Sequence, residues 1–495
     1  MILRYQNEKI QKIFSDEQKL QGWQTLELAL IRAEVNLGGV EEINYLKIKE
    51  IWEETPIDIS WWKKRDEEIH HDLNAFLDER LRILPKYLHV YVHGNITSYD
   101  TEEAPSALSL LKAIEIVDGK FKELQDVLIK LALEHRYTLM MSRTHGQEAE
   151  LQTFGARILT WIQDLRMSKN KIDFCVKDLS LSKLSGAIGK YGAIDPKIEE
   201  ETLKILGLEP YYGATQIMPR VIYAPLAQNL SNMVSVMDKI ANDIRLSARS
   251  GQNVLMREPF AKKQKGSSAM PHKKNTIQLE QIEGMAIMAR GLSCSISETI
   301  KTWEERSIEQ SCVERVCWPD LFHVVIRVLE TLKKVLTGIN VYKEKMLEEI
   351  VNTRGIYAAA EIKEWLKQKL IPLGLNYEDV YRIVQIASFN AFEVDTERLL
   401  IRNTKTNSIE DAETLLKTCE GFKPEKNISI KTIISCSMLI YTDELDITKE
   451  KTAIYNQKLA KVFSLEKNLK DFEDVFSVKN LIKNQEILFE KIIGY

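Results

Sequence analysis

The stretch Leu226–Ile244, LAQNLSNMVSVMDKIANDI, places apolar side chains at alternating spacings of four and three residues. The side chains in this pattern are Leu226, Leu230, Met233, Met237, Ile240 and Ile244. Such a repeat lies along one face of an α-helix and is typical of helix bundles and coiled coils. The stretch therefore predicts a long helix whose apolar seam packs against other helices, either within the chain or between chains.

Two further stretches, 107–135 and 321–336, show a similar apolar period. Helices of about 25–30 residues would each be roughly 40 Å long. The chain also contains few turn-forming residues, with 21 Gly and 12 Pro among 495 residues, whereas β-sandwiches and propellers need many turns. These observations predict an all-α protein with a central bundle of long helices.

Charge and composition argue against several classes of protein. The formal net charge of −4 disfavours nucleic-acid binding driven by phosphate neutralisation. No run approaches the ~18 uninterrupted apolar residues of a membrane span, and the first residues lack the apolar core of a signal peptide. Six scattered cysteines without a C-x-x-C pair indicate reduced thiols rather than a zinc site or disulfides. We expect a cytoplasmic protein with no metal, cofactor, nucleic-acid partner or membrane partner.

The character of the sequence changes twice along the chain. Residues 1–108 contain short helical patterns, 109–350 contain the long amphipathic stretches, and 351–495 return to shorter helices with an extended polar tail. We predict three domains with these boundaries. Within the last of these regions, segment 400–470 is rich in Lys, Asn, Thr and Glu.

A polar break at Gly266–Asn275, GSSAMPHKKN, carries the densest chemistry in the chain. Gly266 and Pro271 are typical of a mobile but shaped loop that can act as a lid. Lys273 and Asn275 could bind a carboxylate by charge and hydrogen bonding. A serine could act as a base if backbone N–H groups and the lysines stabilise its alkoxide. Considered alone, a Lys-rich loop is more often simply solvated.

The loop resembles the signature of the fumarase/aspartase superfamily in its adenylosuccinate lyase branch. Other blocks match that branch in the same order, and the similarity runs from residue 1 to about 395 before returning weakly at 476–494. The matching blocks are Arg4-Tyr5, His71-Asp72, Thr97-Ser98-Tyr99-Asp100, Ser142–Gly146, Ser185–Gly189 with Asp195-Pro196, Thr215-Gln216, Glu304-Glu305-Arg306, and Glu314-Arg315 with Pro319-Asp320.

The resemblance implies a mostly helical protein of three domains. Long central helices of four subunits would form one core, and each active site would draw on three chains of a homotetramer. The implied reaction is β-elimination of an amine from a small N-succinyl substrate with release of fumarate. Adenylosuccinate is the default substrate, and the products are then AMP and fumarate in purine biosynthesis.

The resemblance also assigns roles to individual residues. Ser267 is the base that removes a proton beside a carboxylate, with Ser268 as the less favoured alternative. His145 is the general acid for the leaving nitrogen, Glu280 orients its imidazole, and His71 supports the acid or binds substrate. The residues that hold the succinyl carboxylates are Lys273, Asn275, Thr144 and Ser98. The other predicted substrate-binding residues are Arg4, Tyr5, Asp72, Thr97, Gln216 and Arg306.

Each of these residues has an ordinary structural explanation when it is considered alone. A histidine between Thr and Gly is most often a loop or cap residue, and an isolated Glu280 would be a solvated helix position. His71-Asp72 would be a surface pair, and Thr97–Asp100 an N-cap cluster. The functional interpretation is favoured because the blocks occur together and in order.

Three departures from the branch concern the amine half of the substrate. An Arg-Asp-Arg-His run is replaced by Arg220–Tyr223, and a Ser-His-Ser-Ser run by Glu309–Cys312. A phosphate-binding Ser and Arg are replaced by Ala358 and Ala360, although Arg354 lies nearby in sequence. A lost charge-assisted phosphate contact should weaken binding by about 1.5–3 kcal/mol.

These departures leave alternative functions open. The first is the same elimination on a non-nucleotide N-succinyl or aspartate-derived amine of specialised metabolism. The second is a catalytically inactive homologue that serves as a scaffold. A cycloisomerase of the same superfamily is less favoured, because His145 and the Arg4-Tyr5 pair resemble the lyase branch.

Overall fold

The fold was analysed in a computed structural model that describes residues 1–251, 254–392, 406, 408–421 and 428–495. Most of these residues are helical, which confirms the all-α prediction. The α-helices are α1 (Glu8–Ile13), α2 (Asp16–Asn36), α3 (Glu42–Glu54), α4 (Ile59–Ile69), α5 (Asp72–Leu81), α6 (Ser98–Glu134), α7 (Phe154–Asp178), α8 (Pro196–Ile205), α9 (Ala224–Ser247), α10 (Ile277–Glu298), α11 (Glu309–Thr337), α12 (Lys343–Asn352), α13 (Ala359–Leu370), α14 (Tyr377–Phe392), α15 (Ile409–Gly421), α16 (Ile430–Ser435), α17 (Lys449–Phe463), α18 (Glu466–Asp474), α19 (Val478–Ile482) and α20 (Glu486–Ile493).

Short strands and 3₁₀ helices connect the α-helices. The strands are β1 (Leu139–Thr144) antiparallel to β2 (Gln147–Thr153), β3 (Leu181–Ser182) parallel to β4 (Glu209–Pro210), and β5 (Met256–Arg257) antiparallel to β6 (Asn340–Val341). The 3₁₀ helices are Leu3–Tyr5, Lys86–Tyr91, Arg220–Ile222, Ile356–Ala358, Ile371–Leu373 and Lys483–Gln485.

The chain divides into two compact units, each built from separate segments. The first unit comprises Met1–Leu124, Asp164–Ala241 and Ile277–Lys334. The second comprises Gln125–Gln163, Asn242–Thr276 and Val335–Tyr495. This division does not coincide with boundaries at residues 108 and 350, and the three-domain organisation stays a prediction.

The seam on α9 is buried within the single chain. All six side chains of the 226–244 repeat have 0% exposure, so the seam finds its partners among the chain's own helices. Among the described residues, no helix combines the length and apolar composition needed to cross a membrane.

Several candidate residues lie at the first turns of helices in the first unit. His71 is the N-cap of α5, and its side chain accepts a hydrogen bond from the Asn74 N–H. The first turn of α6 is closed by Asp100, whose carboxylate accepts a hydrogen bond from the Thr97 N–H at 2.8 Å. Both contacts give an acceptor to a backbone N–H that has no partner within the helix, and such contacts stabilise the start of a helix.

The second unit has its own apolar core, to which the hairpin β1–β2 and residues of helices α12 to α19 contribute. Tyr357, Ala358, Phe463 and Phe472 are buried in it, and the partly buried Trp365 packs against the Phe463 and Phe472 rings. Helices α15, α16, α17 and the first half of α18 occupy parts of the polar segment 400–470. Residues 400–405, 407 and 422–427 of that segment lie outside the described residues.

Candidate active site

Three predicted substrate-binding residues meet in the first unit. Arg306 Nη1 donates hydrogen bonds to Gln216 Oε1 at 2.9 Å and to Ser98 Oγ at 3.4 Å. The same guanidinium lies 4.1 Å from the centre of the Tyr99 ring, a favourable cation–π distance. Residues far apart in sequence therefore form one polar group, which presents a cation and a hydroxyl suited to a carboxylate.

His71 and Asp72 lie at the start of α5, also in the first unit. His71 Nδ1 accepts the Asn74 N–H at 3.3 Å, so the neutral imidazole carries its hydrogen on Nε2. The Asp72 carboxylate lies 3.0 Å from Arg315 and 3.6 Å from Lys19. His71 thus serves as a helix cap, and its exposed side leaves a donor available for substrate.

A cavity of about 290 Å³ in the first unit was not predicted from the sequence. Its charged lining residues are Asp16, Lys19, Glu102, Glu103, Arg220, Glu314 and Arg315. Arg220 is buried and binds Glu103 at 2.6 Å and Glu314 at 2.9 Å. The first residue of the altered Arg220–Tyr223 run therefore has a structural role in the cavity wall.

Glu102 is the unusual group of this cavity. Its carboxylate makes no hydrogen bond or ion pair with the residues that the structure describes. Burial, and after it the charge of Asp72, raises the pKa of Glu102 to about 7, against the opposing effects of Arg315, Arg306 and Lys19. A carboxyl that titrates near neutrality beside proposed binding residues is a candidate functional group. In the sequence, no local pattern distinguishes Glu102 from a solvated glutamate.

Glu102→Gln should change how stability depends on pH. The unfolded chain releases the Glu102 proton near its usual pKa of 4.5, whereas the folded state holds it to about pH 7. The free energy of unfolding therefore falls as pH rises between these values. We expect the variant to gain melting temperature over the wild type across this window, with no gain below pH 4.5. Glu115→Gln, at an exposed position of α6, is the control, and equal pH profiles for both variants would contradict the assignment.

In the second unit, His145 lies at the tip of the β1–β2 hairpin. His145 and Gly146 form the two-residue turn, with φ of 53° and 78°, as type I′ turns require. Such a φ costs a non-glycine residue about 1–2 kcal/mol. The His145 side chain is exposed and makes no hydrogen bond with the described residues. Close to the turn, Arg143 of β1 pairs with the buried carboxylate of Glu349.

The Gly266–Asn275 loop lies on the surface of the second unit. Ser267 Oγ accepts the Met270 N–H at 3.3 Å, and the Lys273 N–H donates to Met270 O at 3.0 Å. Ser268 and Lys273 are exposed, while Ser267 and Asn275 are half-buried. Among the described residues of this unit, no hydrogen bond joins the loop to His145. The two proton-transfer candidates thus lie on separate loops, His145 exposed and Ser267 half-buried.

Gly266→Ala should distort the loop, because an added Cβ would lie 2.5 Å from Lys273 O and 3.2 Å from Pro271 O. Misplacing a reacting group by about 1 Å can cost 10²-fold in rate, so we expect kcat to fall at least tenfold with an unchanged melting temperature. Gly119→Ala, at an open position of α6, is the control and should leave kcat unchanged. Full activity of Gly266→Ala would show that the loop conformation does not matter.

Among the remaining candidates, Arg4, Glu280 and Thr144 occupy exposed positions and Tyr5 a half-buried one. Arg4 is exposed on the first 3₁₀ helix, and the Tyr5 ring lies 5.9 Å from the Arg327 guanidinium. Glu280 is exposed in the first turn of α10. Thr144 is exposed beside the hairpin turn.

Comparison with known proteins identifies the family. The chain matches the Lyase family over residues 2–291. Adenylosuccinate lyase of Aquifex aeolicus is 35% identical over 398 residues, which cover 80% of this chain and 89% of that protein. Adenylosuccinate lyase of Synechocystis sp. is 31% identical over 436 residues, covering 87% of this chain and 97% of that protein.

The chain belongs to the adenylosuccinate lyase branch of the fumarase/aspartase superfamily. It is therefore a C–N lyase. The fold agrees with the solved fumarate lyase of Mesorhizobium sp. BNC1, at a TM-score of 0.76, 18% identity, and coverage of 99% of this chain and 98% of that chain. The 3-carboxy-cis,cis-muconate lactonizing enzyme of Pseudomonas putida has a TM-score of 0.73 at 18% identity, with coverage of 99% of this chain and 97% of that chain.

One departure from the adenylosuccinate lyase branch is visible in the second unit. Ala358 is fully buried before α13 and offers no polar side-chain atom. Arg354, which could supply a substitute charge, donates from Nη1 to the Ala391 carbonyl at the end of α14. The Arg354 guanidinium is thus engaged in holding the C-terminal helices.

Proposed function

We propose that this lyase cleaves adenylosuccinate to AMP and fumarate in purine biosynthesis. Ser267 removes a proton from the succinyl carbon next to a carboxylate, and the C–N bond breaks as the carbon–carbon double bond of fumarate forms. His145 donates a proton to the leaving nitrogen, with Glu280 orienting its imidazole. The carbanionic transition state needs its carboxylate stabilised by fixed positive and hydrogen-bonding groups.

The remaining predicted residues bind the substrate. Lys273, Asn275, Thr144 and Ser98 hold the succinyl carboxylates in this proposal. The other substrate contacts are made by Arg4, Tyr5, His71, Asp72, Thr97, Gln216 and Arg306. The observation that carries the proposal is the Ser98–Arg306–Gln216 group. Hydrogen bonds already hold its guanidinium and hydroxyl together, so the structure contains a preformed positively charged group for an anionic substrate.

We also propose a cytoplasmic homotetramer with active sites shared between subunits. Helix α10 supports it with an exposed stripe of Gly284, Ile287, Met288, Gly291 and Cys294, in which Ile287 is 66% and Met288 49% exposed. These residues recur at three- and four-residue spacings, as in helices that pack closely together. The exposed His145 and the surface position of the loop that carries Ser267 suit catalytic groups that complete a site on another copy. Light scattering should give the mass of four chains, and a monomer mass would contradict the assembly.

The substrate assignment is tested by incubating purified protein with adenylosuccinate and measuring AMP and fumarate. We expect the two products in equal amounts. A folded tetramer that forms neither product would contradict the assignment.

A second candidate is the same elimination on an N-succinyl amine without a phosphate. The buried Ala358 and the Ala391-bound Arg354 favour it, because neither side chain adds a contact for an anion. Comparing kcat/KM for adenylosuccinate with kcat/KM for its dephosphorylated nucleoside distinguishes the two. A higher value for the nucleoside would favour this candidate.

A further inference from the structure

A fully buried ion pair lies beneath the Ser98–Arg306–Gln216 group in the first unit. Lys183 and Asp100 both have 0% side-chain exposure, and Lys183 Nζ lies 2.7 Å from Asp100 Oδ1. Lys183 Nζ also donates to Gln216 O at 2.7 Å and to Gly186 O at 3.2 Å. All three ammonium hydrogens therefore have an acceptor.

Asp100 is equally well satisfied. Its carboxylate accepts the Thr97 N–H at 2.8 Å and the Gly186 N–H at 3.2 Å, in addition to Lys183. The pair thus joins three segments that are distant in sequence: the start of α6 with Ser98, the Gly186–Gly189 loop, and the bend that contains Gln216.

The Gly186–Gly189 loop carries this restraint to the Gln216 side chain. Gln216 Nε2 donates to Ala187 O at 3.1 Å, which leaves Oε1 directed at Arg306. The loop also packs tightly on the Gln216 segment, since a Cβ added to Gly189 would lie only 1.8 Å from Ala214 O. Lys183 therefore binds the main-chain carbonyl of Gln216, and the Gly186–Gly189 loop fixes the orientation of its side-chain amide.

We propose that the Lys183–Asp100 ion pair is a positioning element for substrate binding: it fixes Ser98 and Gln216 in register so that Arg306 can bind both. Neither charged side chain reaches the surface, so the pair acts through its neighbours and not on substrate. Burying two charges stabilises a protein little compared with well-packed apolar side chains, which favours a role in local geometry. This inference rests on the proposed role of Ser98, Gln216 and Arg306.

The test compares two buried ion pairs of the same unit. Lys183→Met removes the positioning pair, and Arg80→Met removes the Arg80–Glu79 pair, whose partners Gln24, Thr55 and Pro56 lie outside the proposed site. Both variants should lower the melting temperature. We expect Lys183→Met to raise KM for adenylosuccinate at least tenfold with a smaller change in kcat, and Arg80→Met to leave KM within twofold.

A double-mutant cycle with Gln216→Ala measures whether the effects of the two substitutions on KM are coupled. A purely structural role of Lys183 would not produce such coupling. If Lys183 acts through Gln216, the increase in KM caused by Gln216→Ala should be at least fivefold smaller in the Lys183→Met background. Additive effects, or equal KM values for Lys183→Met and Arg80→Met, would overturn the proposal. If Lys183→Met does not fold, Asp100→Asn is measured against the same criteria.

Failure of this inference is distinguishable from failure of the proposed function. Wild-type protein that does not convert adenylosuccinate contradicts the function. In that case the affinity of each variant for fumarate, measured by calorimetry, replaces KM in the same comparison. Unchanged fumarate affinity in Lys183→Met would then overturn the positioning role.

Discussion

Ser267→Ala is expected to lower fumarate release from adenylosuccinate by about 10²–10⁴-fold, the usual contribution of a positioned base. Ser267 Oγ accepts the Met270 N–H at 3.3 Å, and a donor of this kind stabilises the alkoxide that a serine base requires. The variant should retain its melting temperature, because the loop lies on the surface. Single-turnover measurement of fumarate separates the chemical step from substrate binding.

Ser268→Ala is the matched control, since it removes the neighbouring hydroxyl from an exposed position of the same loop. It should change kcat by less than about tenfold. Loss of activity in Ser268→Ala with retention in Ser267→Ala would assign the base to Ser268. Full activity in both variants would show that neither serine is the base.

His145→Gln is expected to give a loss of similar size, about 10²–10⁴-fold in kcat. Glutamine cannot donate a proton to the leaving nitrogen, although it preserves the polarity of the hairpin tip. Because position 145 has φ of 53°, His145→Asn is measured beside it, since asparagine tolerates this conformation best among non-glycine residues. Equal losses in both variants separate the missing acid from any strain in the turn.

Gln147→Ala on the same hairpin is the control for that experiment. Gln147 is exposed at the start of β2 and should be replaceable with little change in kcat. Activity near the wild-type level in His145→Gln would remove the general-acid assignment. Unchanged activity in both His145→Gln and Ser267→Ala would leave the scaffold alternative as the better account of the chain.

The helical scaffold could be predicted from the sequence because its signal is local. The apolar repeat in 226–244 reports which side of α9 is buried, and all six of its side chains are buried in the structure. The polar break at Ser142–Gly146 also has a local signal, but its fold as a hairpin depends on two successive residues with positive φ. Only the second of them is a glycine, so the turn type was not predicted.

The binding side of the site depends on contacts between distant parts of the chain. Ser98, Gln216 and Arg306 were named because their motifs occur in family order, and periodicity alone gives no reason for them to meet. Lys183 and Glu102 were missed for a related reason. A lysine or glutamate is normally solvated, and only the folded chain shows that Lys183 is buried with three acceptors and that Glu102 faces a cavity.

The most direct test of the account is to mix the two inactive variants, His145→Gln and Ser267→Ala, under conditions that exchange subunits, and to measure fumarate release from adenylosuccinate. If each site takes His145 from one copy and Ser267 from another, random tetramers made from equal amounts should regain about one quarter of wild-type activity. Recovered activity near this level would support both the chemistry and the shared site. Activity that stays at the level of the separate variants after confirmed subunit exchange would contradict the account.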